Sequence, residues 1–163
     1  MKRLMMTMVA AVLLTACATT QNDGLTKEQR RAKVAQMVRQ QLAERHYTIE
    51  VDHCYPRRGG SRRIDYGYEL TVSGDTLKSY LPYFGRAYHI PYGGGKGLHF
   101  NSIITDYQQG LVKQGLTRIV ILTQNEEDTY QYVVEVFENA NASIQVFSRE
   151  REDIGFSGTM KTD

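Results

Sequence analysis

Cysteine is nearly absent: Cys17 and Cys54 are the two in 163 residues. A small secreted domain stapled by disulfides needs several closely spaced cysteines, so no disulfide framework holds this chain together. Internal repeats and low-complexity tracts are missing too, as is an apolar run long enough for an ordinary membrane-spanning helix. What remains has the composition of an ordinary globule, 41% hydrophobic and 23% charged. A chain of this length buries roughly two thirds of its unfolded surface in one core.

Strong charge of one sign is also lacking. Lys and Arg number 20 against 18 Asp and Glu, a net of +2, and removal of residues 1–16 would take away Lys2 and Arg3 and no acid. Binding to nucleic acid rests on a basic excess that neutralises phosphates, so that partner is not expected.

The start, "MKRLMMTMVAAVLLTAC", places a basic pair before an apolar run and then Leu14-Thr15-Ala16-Cys17. Residues 1–16 read as a secretory signal peptide, too short for a normal span. The last four residues have the form of a lipobox, which makes Cys17 the lipidated first residue of the mature chain. The alternatives are an ordinary signal peptide cleaved elsewhere or a buried core helix, either of which leaves that cysteine without a task. Residues 17–24 then form a small, polar tether and 25–163 a single globular domain. More than one acyl chain gives durable anchoring, so the expected address is the cell envelope, with the membrane as partner through Cys17. Ala18 is no obvious inner-membrane retention residue, which favours the outer membrane; the face, periplasmic or surface, stays open.

Thr26 and Gln29 have capping-box spacing, and Val34, Ala35, Val38 and Leu42 fall on one side of a helix over about 26–45. Lys27, Arg30, Arg31, Lys33, Arg39 and Arg45 lie off that stripe, suited to solvent or to anionic headgroups beside the tether. From Tyr47 the period changes to two. Tyr47, Ile49, Val51, His53 and Tyr55 alternate with a more polar set that includes Cys54, and Ile64 to Val72 repeat the pattern. A hairpin returns through Leu77 to Leu81. Further runs near 98–106, 117–124, 129–138, 142–149 and 154–161 are joined by short turns, which suit antiparallel hairpins and are too short for parallel crossovers. The expected fold is α+β: one N-terminal amphipathic helix packed on a curved, mostly antiparallel meander sheet.

Tyr55-Pro56, Gly60-Ser61-Arg62, Ser73-Gly74-Asp75-Thr76, "LPYFGRAY" at 81–88, "PYGG" at 91–94, and Arg151 with Ile154 and Phe156-Ser157-Gly158 form a spine of motifs. Together they resemble a family of Bacteroidota envelope lipoproteins catalogued as domain of unknown function 4251. The resemblance covers nearly all of the mature chain. It implies an envelope address and a mostly antiparallel fold, and no reaction.

Chemistry-bearing motifs are scarce. "GGGKG" fails as a phosphate loop, since Ile90 holds the first glycine position and Gly97 the hydroxyl position. His46, His53, His89 and His99 show no metal-ligand spacing, and Cys54 has no recognisable catalytic neighbourhood. Asp65 and Glu69, four strand residues apart, would stand roughly 13 Å from each other, too far for paired glycosidase carboxylates. No cofactor is expected. The competing enzyme class is a small periplasmic hydrolase or metal-binding protein using Cys54 or a His89/His99 pair.

The stretch "SYLPYFGRAYHIPYGGGKGLHF" offers two readings. In one, Leu81, Phe84 and Leu98 plug an end of the core while tyrosines pave a crossing loop. In the other, Tyr83, Arg86, Tyr88, His89 and Tyr92 bind an envelope glycan or protein, because amphipathic rings and arginine stack on sugar or peptide planes at small entropy loss.

Overall fold

The computed structural model describes residues 24–65, 67–88 and 97–162. Helix α1 (Lys27–Ala43) is followed by strands β1 (His46–Pro56), β2 (Arg62–Arg63), β3 (Glu69–Ser73), β4 (Thr76–Leu81), β5 (Leu98–Lys113), β6 (Leu116–Gln124), β7 (Thr129–Phe137), β8 (Asn141–Ser148) and β9 (Ile154–Met160). Each strand from β3 to β8 pairs antiparallel with the next, and β1 pairs with β3 on one edge and with β9 on the other. The two-residue β2 is a flap on β1. Eight strands therefore close into an up-and-down antiparallel barrel.

Closure corrects the expected open meander with a helix laid on one face. Local alternation and short turns are the same in an open meander and a closed barrel; what separates them is the pairing of first strand with last. That seam runs from Ile49 opposite Met160 to Pro56 opposite Ile154. A sheet that closes has no unpaired edge along its seam, which removes the hazard of edge-to-edge association there.

The seam also corrects the placement of Cys54 on the polar face. Tyr47, Ile49 and Val51 point inward, then an extra residue at Asp52 shifts the register between Val51 and His53. A bulge reverses the in-out phase of everything after it. His53 and Tyr55 turn outward, and Cys54 and Pro56 turn into the interior, where Cys54 is fully buried.

The interior is packed with side chains. Ile49, Leu70, Leu77, Leu81, Ile119, Ile121, Tyr130, Tyr132 and Val134 have no solvent exposure. Tyr132 satisfies its hydroxyl by donating to Ser79 Oγ at 3.0 Å, while burial pushes its pKa upward. Helix α1 begins with the predicted capping box: Gln29 N donates to Thr26 Oγ1 and Thr26 N to Gln29 Oε1. Its buried residues Ala35, Val38 and Leu42 fall at the expected spacing, and Val38 and Leu42 join the barrel's own core. The helix meets the β7–β8 turn through Arg39 and Glu138, and Arg45, two residues past its end, meets the β3–β4 turn by accepting from Gly74 N. The helix thus stoppers that end of the barrel. Residues 82–88, 125–128 and 149–153 lie at the other end.

Gly158 sits opposite Val51 in the seam, and a Cβ there would strike the Glu50 carbonyl and come within 2.7 Å of Val51 Cα. Both are backbone atoms beside the bulge, so neither moves without disturbing the ladder. Gly158→Ala is expected to cost about 3 kcal/mol or to abolish folding, because overpacking is relieved only by shifting strands. A denaturation midpoint equal to wild type would show that the seam is looser than this geometry.

Candidate functional site

At the end of the barrel opposite α1, the segment after β4 folds down onto the β8–β9 connection as a short antiparallel ladder. Ala87 bridges Arg151, Tyr88 N donates to Glu150 O at 2.7 Å, and Glu152 N donates to Arg86 O at 2.9 Å. Tyr83 is the strut of this ladder. Its hydroxyl lies 2.9 Å from Arg86 O and 3.0 Å from Glu152 O and shares one proton between them. Burial pushes its pKa up to about 12, with Arg151 opposing and Glu152 reinforcing the shift. A Cβ at Gly85 would meet the Tyr83 ring at 2.7 Å, so glycine lets the chain fold back against the ring.

Beneath the strut lies a set of buried charges. Arg151, 7% exposed, pairs with Glu127 at 2.9 Å and reaches over the Tyr83 ring, 5.5 Å from its centroid. Glu152, 6% exposed, accepts from Arg86 N and faces Arg58 at 3.5 Å. Asp128 ties the two turns together: it accepts from Thr129 N, from Ser148 Oγ, and from Arg149 N and Glu150 N. Buried carboxylates satisfied in this way hold loops in place, and removing one partner strands a charge. Sequence reasoning missed Glu127, Asp128 and Glu152, because "QNEED" and "RED" read as solvated turns. One local signal was present: Asn125 precedes the acids, and its side chain accepts from Glu127 N and Asp128 N as in an Asx turn.

Of the five candidate binding residues, three lie within the described residues. Tyr83 is structural in its contacts. Arg86 uses its backbone in the ladder and leaves its side chain exposed. Tyr88 is 63% exposed. His89 and Tyr92 lie outside the described residues, as does Cys17. Leu81 and Leu98 are buried as expected of a plug, whereas Phe84 is 43% exposed and lies under the Arg62 guanidinium, 4.8 Å from ring centroid to Cζ.

The same end carries Tyr68 and Tyr80, which the sequence reading left unassigned, and His99, which it offered as half of a hydrolytic or metal-binding pair. On the outer wall, Tyr68 stacks on Tyr80 at 5.5 Å, and Tyr80 packs against His99 at 4.4 Å. Tyr80 stands directly opposite His99 in the β4–β5 register and remains 43% exposed. This row, with Phe84 under Arg62 and the outward Tyr88, gives flat apolar faces with polar tips, the chemistry of stacking recognition. It offers no nucleophile. Burial pushes the Cys54 thiol up, against a smaller lowering by Arg62, which opposes thiolate chemistry. Among the described residues no three of His, Cys, Asp and Glu gather as a metal-holding group.

Tyr83→Phe is expected to cost about 1–2 kcal/mol, because two carbonyls lose their shared donor. Tyr88→Ala is expected to leave the thermal midpoint within experimental error. Equal destabilisation by both would mean that Tyr88 is also part of the clasp.

The fold has a counterpart among solved structures: the 1.95 Å crystal structure of a DUF4251 family protein from Bacteroides eggerthii DSM 20697. It matches with a TM-score of 0.61 at 14% identity, covering 81% of this chain and 89% of that one. At that identity the likeness speaks for the fold alone. No curated protein matches the chain. The family model described as Domain of unknown function (DUF4251) matches residues 28–160, from the second residue of α1 to the last of β9, and the chain therefore belongs to that family.

Proposed function

We propose that this protein is a lipid-anchored, non-catalytic recognition or scaffolding module of the cell envelope. The observation that carries the reading is the polarity of the barrel. The chain enters through α1 at one end, while Tyr68, Tyr80, Phe84, Tyr88 and His99 gather toward the other. Anchored at Cys17, the molecule would hold its helix end toward the bilayer and present the aromatic end away from it. Envelope glycans and peptides are the ligand classes that such rings suit, with Arg86 adding a planar cation. The rigidity of the clasp around Asp128 and Arg151 supports this reading, since a surface already ordered loses little entropy on binding.

Two measurements test it. The wild-type chain in its bacterial host is expected to take up labelled palmitate, and Cys17→Ser is not; label retained by Cys17→Ser would remove the anchor. For recognition, the purified protein is screened against peptidoglycan fragments and envelope glycans. Tyr80→Ala and Tyr88→Ala are expected to weaken any binding about tenfold or more, as interface aromatics do, without lowering the thermal midpoint. Binding unchanged in both variants would move the site elsewhere on the barrel.

A further inference from the structure

The stripe that docks α1 changes character along the helix. Ala35, Val38 and Leu42 are buried, but one and two turns earlier the same side carries Lys27, Arg30 and Arg31, all exposed. Residues 27–33 are exposed on every side of the helix, so its first two turns overhang the barrel. Between the overhang and the β7–β8 turn lies a cleft of about 620 Å³, lined by Lys27, Arg30, Arg31, Val34 and Ala35 on the helix and by Glu138 and Asn139 on the turn. The one carboxylate in that lining, Glu138, faces Arg39 at 3.9 Å. Among the described residues, Lys27, Arg30 and Arg31 have no ion-pair partner.

Three unpaired cations over an aliphatic floor match an amphipathic anion: a phosphate-bearing head with apolar carbons directly below it. The position of the cleft narrows the source. Lys27 lies ten positions after Cys17, a stretch that when extended spans at most roughly 35 Å. An anchor at Cys17 therefore keeps the cleft within that reach of the bilayer surface. We propose that this cleft is a headgroup site for an anionic phospholipid, and that filling it fixes the barrel helix-down on the membrane. The proposal rests on the lipid-anchored reading for its orientation, and its test does not use the anchor.

The described fold closes on itself within residues 24–162, so a chain beginning at Ala18 keeps the helix and the whole barrel without the lipid. Its co-sedimentation is measured with phosphatidylglycerol-containing vesicles and with pure phosphatidylcholine vesicles, at low and high salt. Binding is expected to the anionic vesicles alone and to fall at high salt. The triple variant Lys27→Gln, Arg30→Gln, Arg31→Gln is expected to lower partitioning of the order of 100-fold, from about 1 kcal/mol per basic residue near an anionic surface and about 1.4 kcal/mol per tenfold. A control removes the same charge at the other end from exposed residues outside the aromatic surface, Arg57→Gln, Arg63→Gln, Arg149→Gln, and is expected to change partitioning little. Equal losses in the two triple variants would mean that net charge alone is read, and would overturn the site. No binding to anionic vesicles would overturn it as well, as would saturation by inorganic phosphate without vesicle binding. Failure of palmitate labelling with vesicle binding intact would remove the anchor and leave the headgroup site standing.

Discussion

The pairing of β1 with β9 is the constraint on which the rest of the molecule depends. Without it, β1 and β9 would be two free edges and the inward rings of Tyr130, Tyr132 and Phe156 would lack a wall. The seam needs an extra residue at Asp52 on one strand and a residue without Cβ at Gly158 on the other. The bulge adds local twist, which helps a sheet of eight strands curl round to meet itself. It also decides what the second half of β1 shows to the interior. Cys54 is a core residue because of a backbone irregularity two positions earlier.

The two ends of the barrel are closed by different physics. At one end a helix contributes apolar side chains to the core and costs no buried charge. At the other, loops are held by carboxylates and guanidinium groups that water scarcely reaches: Asp128, Glu152 and Arg151. Such a clasp depends on each partner being present, so it is specific in geometry and intolerant of single losses. The aromatic row on the outer wall stands beside this clasp, with Tyr80 and His99 on paired strands and Tyr68 immediately before β3. A surface built on strands keeps its spacing when the solvent or temperature changes.

Much of the fold was legible from local pattern. Period-two alternation marked the strands, and the Thr26–Gln29 capping box marked where α1 begins. Val38 and Leu42 declared themselves as core by their spacing. What local pattern cannot carry is closure, since β1 and β9 lie about a hundred residues apart and neither strand differs visibly from a sheet edge. The bulge at Asp52 was hidden for a related reason: a bulge has no side-chain signature. At the loop end, Tyr83 and Tyr88 are the same residue type five positions apart, yet one is a strut and the other faces solvent. The difference lies in Glu152, which is distant in sequence and reads locally as one more acid in a charged turn.

The attachment of α1 directly to β1 has a mechanical meaning. A pull on the N-terminus reaches α1 first, which is held to the core by few buried residues, and then runs along the axis of β1. Because β1 is bonded on both sides, to β3 and to β9, that load falls in shear across two ladders at once rather than peeling bonds one at a time. The helix would serve as a yielding fuse and the seam as the rigid stop behind it. Under such a pull the helix end gives way first while the far end of the barrel keeps its shape.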